Sequence, residues 1–518
     1  MIFTDRRTRG VLLPPNCMPD RPENLNDLGE RSRRYGIRDG AFQAVMQGSG
    51  ENYLSAFALL LHASALQIGI LSALPQLVGT FAQLLSVKIL HRFRQRKSLI
   101  LAGAIGQTIL WVPLLALPLL FPDQGPWLLI TCTMLYVAIG QFAIPAWNSL
   151  ITDVVDSNQR GIYFGHRARV MAVTSFVVLC VAGLVLHYSE LWREPWVGFA
   201  IIFTIAALAR AVSTMYLARI DESAAPPRCE TEFRLLEFLR TQRGSNFQRF
   251  LIFSGLMHFC VLIAGPYFLI YVLRDLQFTY AMYAAWMAAG VLGQFLTLKP
   301  WGRLGDRFGN KKVLVTNGLL VPFLPMLYIF SANFYFLMGL SFLGGVIWAG
   351  LSIGLQNYLF DSVRAEDRAK SIAVWNTVNA IGWCLGALLG GWLATVAPSE
   401  IAIAGVRLHL ISNLPVVFFI SGVLRLCVSV GLLRSLRESR NVEPISFGDL
   451  CWELPLVKPL SGAFMEGTRQ VALVRSAAPQ LLTALSARGR AHVLKGQGRW
   501  IRRHNGGKWR NSHSGDQP

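Results

Sequence analysis

The chain reads as an all-α polytopic membrane protein with twelve transmembrane helices, built as two pseudo-symmetric repeats of six. Three observations predict this: a shortage of charge, apolar runs of membrane length, and short motifs that recur at matching places. Of 518 residues, 53% are hydrophobic and only 15% charged, with a mean hydropathy of +0.42. Soluble globular proteins carry about 25% charged residues. The net charge of +20 is spread in short basic blocks between apolar runs, so it speaks for topology before nucleic acid. Residues 1–37 are Arg-rich with only a three-residue apolar run, Val11 to Leu13, so no cleavable leader is expected.

A helix needs about 20 mostly apolar residues to cross a hydrocarbon layer of ~30 Å. Runs of that kind lie near 40–62, 66–88, 98–121, 127–150, 168–188 and 195–218, then near 248–272, 279–299, 313–331, 334–360, 371–396 and 408–433. The first is the most polar, holding Gln43, Gln47 and Glu51. Of the 49 Lys and Arg, 44 fall in segments on the side of the N-terminus or in the tail. Only Arg193, Arg274 and Arg407 fall in the opposite connections. That asymmetry places both termini in the cytoplasm. The expected organisation is a cytoplasmic segment 1–37, a six-helix half 38–219, a linker 220–247, a second half 248–437 and a basic tail 438–518. The tail suggests a short amphipathic helix near 468–487 and attraction to anionic lipid.

A shift of 215 residues lays "HRFRQRKSL" (91–99) on "DRFGNKKVL" (306–314) and Arg210 on Arg425. A shift of 208 lays Asp153 and Arg160 on Asp361 and Arg368. Internal duplication with the site at the repeat interface is a common way to build a secondary transporter. Over roughly 38–437 the chain resembles a bacterial-type member of the major facilitator superfamily (MFS), whose signature loop reads Gly-x-x-x-Asp-Arg-x-Gly-x-basic-basic. Gly302, Asp306, Arg307, Gly309, Lys311 and Lys312 match it, whereas the first copy is eroded, with His91 for Asp and Arg94 for Gly. The stretch Arg160, Gly161, Tyr163, Phe164, Arg167 is similar to the loop between spans four and five of bacterial members. The resemblance implies the MFS fold, and that spans one, four, seven and ten line a central cavity.

The loop at 302–312 is expected to latch one face, Asp306 accepting from a neighbouring helix N-terminus and pairing with an arginine. Asp153 with Arg160, and Asp361 with Arg368, are expected to form similar pairs at helix ends. Glu51, mid-way along the first span, is the sharpest single candidate. A carboxylate there is costly unless paired, hydrated or protonated, which suits a proton carrier or a counter-charge for substrate. Gln141, Trp147, Asn148, Tyr267, Gln356 and Asn357 are further candidates for substrate contact. Arg210 and Arg425, beyond easy snorkelling reach, are expected to hold structure. Gly382, Gly386 and Gly390 are spaced for close helix packing.

No GxSxG, HExxH, P-loop or CxxC occurs, so neither an enzyme, nor an ATP-driven pump, nor a metal or other cofactor is expected. Cys132, Cys180, Cys260, Cys384 and Cys427 read as small buried hydrophobes. The expected function is secondary active transport of a small molecule by alternating access, coupled to protons, in the inner or plasma membrane. The alternative is a sensor or scaffold that keeps the fold without transport. The expected partners are a small-molecule substrate and membrane lipid, with no nucleic acid, and the protein is expected to act as a monomer.

Overall fold

The structure, a computed structural model, describes residues 23–90, 96–121, 124–155, 159–222, 240–242, 244–364, 367–398, 400–403, 406–409, 411–438 and 442. Two units partition the chain, 1–443 and 444–518. The suggested amphipathic helix of the tail and the eroded loop at 91–95 lie outside the described residues.

Long helices form over the long apolar stretches, several of them running through an internal proline such as Pro75, Pro145 or Pro300. In the first half these are α3 (Ala65–Leu90), α4 (Arg96–Leu120), α5 (Gly125–Val154), α6 (Arg160–Leu191) and α7 (Pro195–Ala218), preceded by α1 (Glu23–Ser49) and α2 (Leu54–Leu60). The second half holds α8 (Asn246–Ala264), α9 (Tyr267–Ile270), α10 (Tyr280–Phe308), α11 (Asn310–Leu320), α12 (Phe323–Leu327), α13 (Phe334–Asp361), α14 (Arg368–Val396) and α15 (Leu414–Leu432). Among the described residues, 10 stretches are long and apolar enough to cross a membrane. The polar α1–α2 rod and the Pro322-interrupted α11–α12 rod complete the twelve.

Two rods break at matching places. Between α1 and α2 the chain passes Gly50 and a tight turn, Glu51–Tyr53. Between α8 and α9 it passes Gly265 and Pro266, then winds wide over Tyr271–Asp275. Gly265 lies 215 residues after Gly50, the shift that relates the halves. Glycine weakens each helix at that point, and Pro266 removes a backbone donor as well.

Three expectations need correction. The first rod begins at Glu23, so helix runs straight through the boundary drawn at 37. The polar stretch is helical because its charges pair along the helix, as Arg34 does with Glu30 at 2.5 Å. A short hairpin, β1 (Glu400–Ile403) and β2 (Val406–His409), stands between α14 and α15, reaching past 408, where the last membrane run was expected to begin. Cys427 is exposed rather than buried.

The glycine spacing of α14 has a direct structural reading. A Cβ at Gly382 would lie 2.7 Å from the Gly255 carbonyl oxygen, and Cβ atoms at Gly386 and Gly390 would overlap the carbonyls of Phe259 and Ile263. Three successive turns of α8 therefore press their backbone onto α14, which only glycine permits.

The halves meet at the ends of their helices far from the N-terminus. There the buried Tyr53 hydroxyl donates to the Leu179 carbonyl at 2.6 Å, and Gly183, one turn on, packs against Ala284 of α10. The other seam repeats the arrangement. Tyr267 donates to the Ala387 carbonyl at 2.6 Å, and Gly391, one turn on, packs against Leu66 of α3. Toward the terminal end, by contrast, Gly161 and Gly165 of α6 and Gly302 of α10 have no other atom within 4 Å of an added Cβ. Both seams thus join the halves at the far end.

Candidate functional site

The stripe Asp39, Gln43, Gln47, Glu51 runs along the first rod at four-residue steps, so all four project to one side. They line a cavity of about 470 Å³ inside the first half, closed by residues of α3, α4, α5, α6 and α7. From Asp39 to Glu51 the helical rise amounts to roughly 18 Å.

A chain of hydrogen-bonded residues joins the two acids, passing from the hydroxyl of Tyr136 through the residue to its backbone carbonyl. Tyr136 donates its hydroxyl to Glu51 Oε1 at 2.5 Å, and Gln107 Nε2 donates to the Tyr136 carbonyl at 3.3 Å. Arg210 then donates to Gln107 Oε1 at 2.7 Å and to Ser213 Oγ at 3.0 Å. Ser213 donates onward to Asp39 Oδ1 at 2.7 Å. Arg167 closes the chain, its Nη2 3.2 Å from Asp39 Oδ2 and its guanidinium 4.4 Å from the Trp147 ring centroid. Two carboxylates and two guanidinium groups thus balance inside a helical bundle, where an isolated charge would be costly. Gln47, Gln76 and Gln141 also face this cavity, and their carboxamides bond to no other described residue.

Of the residues expected to meet substrate, Glu51, Gln141, Trp147 and Asn148 line the cavity. Tyr267, Gln356 and Asn357 do not. Tyr267 is buried at the seam, Gln356 is exposed, and Asn357 donates to Asn310 Oδ1 at 3.3 Å beside the signature loop. Arg210, expected to serve structure, belongs to the cavity chain. Asp39, Gln107 and Tyr136 were missed. The four-residue periodicity from Asp39 to Glu51 was the signal that could have found the first of them.

At the terminal ends of the helices the acids pair differently from expectation. Asp153 binds Arg96 at 2.7 Å, not Arg160, whose Nε turns back onto the Val155 carbonyl at 3.2 Å. Asp361 accepts from Asn310 Nδ2 at 2.6 Å, and Arg368 lies over the Phe360 ring instead, 5.9 Å from its centroid. In each half the acid reaches the start of the third or ninth rod because that helix begins alongside it. A second acid caps each start: Glu222 accepts from the Arg96 amide at 2.8 Å and Glu438 from the Lys311 amide at 3.0 Å. Gly309, at φ +100° and pressed on the Glu438 carboxylate, makes that approach possible. Asp306 and Arg307 are both exposed, and Asp306 bonds to no other described residue. The helix N-terminus that Asp306 was expected to serve is thus capped by Glu438, with Lys312 following it in α11.

No group of three or more potential metal ligands occurs among the described residues. A second cavity of about 360 Å³ lies in the other half, lined by Phe268, Trp286, Tyr328, Trp348 and Arg425 among others.

The chain is 32% identical over 107 residues to a probable peptide/nitrate transporter of Arabidopsis thaliana, a match covering 21% of this chain and 22% of that relative. Its fold is similar to that of the nucleoside transporter NupG, with a TM-score of 0.63 at 13% identity over 78% of this chain and 100% of that one. A D-xylose-proton symporter gives a TM-score of 0.60 at 14% identity over 81% and 100% of the two chains. The sequence model described as Major Facilitator Superfamily matches residues 41–295 and 250–489, so the chain is a member of that family of membrane transporters.

Proposed function

We propose that the protein is a secondary active transporter that carries a small polar solute by alternating access, using the cavity of the first half and a proton on Glu51. The observation that carries this reading is the chain from Glu51 to Asp39. It holds two acids in the bundle in contact with solute-accessible space, with Arg210 as the shared counter-charge. Protonating Glu51 removes one negative charge from a balanced set, so the cavity's affinity for solute and its state of protonation become linked.

The basic bias of the terminal side supports cytoplasmic termini and a cell-membrane location, inner or plasma. On that orientation the open space beside Gly161, Gly165 and Gly302 faces the cytoplasm, which supports an inward-open state. Exposed Asp306, next to Arg307, is then part of a latch that engages when the cytoplasmic ends close. The cluster of Gly302, Gly309, Lys311, Lys312, Asp153 and Asp361 frames it.

A thermal-shift screen of the purified protein against neutral and charged metabolites identifies a ligand, because ligands of the folded state raise its apparent stability. The hit is then assayed in liposomes containing a pH-sensitive dye. Solute-dependent proton movement that disappears in Glu51→Gln is the expected result. Solute flux with unchanged proton movement in that variant overturns the role of Glu51. No flux of any hit under any gradient overturns transport itself.

A further inference from the structure

Arg425 is 2% exposed and lies on α15 at the repeat position of Arg210. Its Nε donates to Ser421 Oγ at 3.1 Å, Nη2 to the Val261 carbonyl at 3.1 Å and Nη1 to the Val321 carbonyl at 3.4 Å. These use three of its five N–H donors, and no described carboxylate pairs with it. Arg210 has Asp39 and Glu51 in its network, whereas Arg425 has only neutral partners. A buried cation without a counter-charge is expensive to hold.

The space beside Arg425 has a definite shape. The second cavity is lined by Phe268, Trp286, Tyr328 and Trp348 together with Gly290, Gly344 and Gly345. Its wall is fixed, since Trp286 Nε1 donates to the Tyr328 hydroxyl at 3.0 Å and Ser341 Oγ donates to the Trp286 carbonyl at 2.7 Å. Gln294 also lines it, with a carboxamide that bonds to no other described residue. Aromatic walls accept a flat apolar body, while the spare guanidinium N–H groups and the free amide accept an anionic end.

We propose that this cavity is a binding site for a small aromatic carboxylate, its carboxylate on Arg425 and its ring between the tryptophans and Phe268. The ligand supplies the charge that the second half lacks. The site stands whether or not the chain transports a solute, since binding to it requires no gradient.

The test is titration of the purified full chain, in low-chloride buffer, with benzoate, its neutral isostere benzamide, and chloride. Tryptophan fluorescence and thermal shift report binding. Benzoate should bind saturably, with benzamide and chloride each at least about tenfold weaker, a difference of roughly 1.4 kcal/mol. Arg425→Gln should abolish the response. Because that change also removes three local hydrogen bonds, Gly344→Leu provides the independent variant. An added Cβ there has only Leu324, at 3.8 Å, nearby, so the longer side chain occupies the cavity and leaves Arg425 in place. Loss of benzoate binding in a folded Gly344→Leu protein supports the site. Equal affinity for benzoate and benzamide, chloride binding as tight as benzoate, or benzoate binding unchanged in Gly344→Leu overturns it.

Discussion

Laid on one another by the repeat shifts, the two halves keep the same frame and exchange its chemistry. Glu51 falls on Pro266, Asp39 on Ser254, Arg167 on Trp375, Gln107 on Pro322 and Tyr136 on Gly344, and only Arg210 finds its like, in Arg425. Even the contact survives where the charge does not. Arg167 binds Asp39 in the first half, and in the second Trp375 Nε1 donates to Ser254 Oγ at 2.8 Å. Duplication thus supplied a bundle with one buried arginine. One copy surrounded it with acids and amides, the other with aromatic rings and glycine.

The largest expected contrast is at the position of Glu51. Glu51→Gln should cut pH-gradient-driven flux by at least about tenfold, on the scale of a lost proton-transfer group, while Pro266→Ala changes it less than about twofold. Equal losses in the two variants would break the assignment of coupling to the first half. Next comes the arginine pair, read by thermal denaturation in detergent. Arg210→Gln removes the guanidinium that ties Gln107 to Ser213, leaving Asp39 to Arg167, and should cost about 1.5–3 kcal/mol, the worth of hydrogen bonds to a charged group. Arg425→Gln removes an uncompensated cation and should cost no more than about 1 kcal/mol. A reversed order would show that the second half relies on its arginine for stability.

A smaller difference is expected at the signature loops. Asp306→Asn should lower flux about threefold at equal expression, roughly 0.7 kcal/mol, and His91→Asn should leave it nearly unchanged. Comparable losses would mean that both loops latch. Smallest of all, Tyr53→Phe and Tyr267→Phe should each lower stability by about 1 kcal/mol, the worth of one buried hydrogen bond, and by the same amount within error. Unequal values would mean that the two halves anchor their seam tyrosines differently despite the shared geometry.

The rods were legible because a membrane leaves a strong one-dimensional trace: about twenty apolar residues, bounded by basic blocks on one side. The repeat was legible for the same reason, since Arg210 and Arg425 stand out against an apolar background. The rod starting at Glu23 was not, because its first fifteen residues are polar and nothing in composition separates a solvated helix from a loop. Partners were harder still. Asp153 and Arg160 are seven residues apart and look like a local pair, yet Arg96, 57 residues away, takes the acid. Glu222 and Glu438 lie just past the last rod of each half, and only the fold brings them to the starts of the third and ninth. Asp39 was passed over because it sat at the edge of an apolar window, although its register with Glu51 was visible.

The paired seams at the far end have a consequence for conformational engineering. Gly183 and Gly391 each sit where a tyrosine of the same half and the backbone of the opposite half converge. A side chain at Gly183 would press on Ala284 and one at Gly391 on Leu66, each across the seam, as well as on the tyrosine of its own half. Valine at one or both sites should therefore shift the balance between states more than it lowers the melting point. Such a pair of substitutions would hold the molecule with its far end ajar, a form suited to raising state-specific binders.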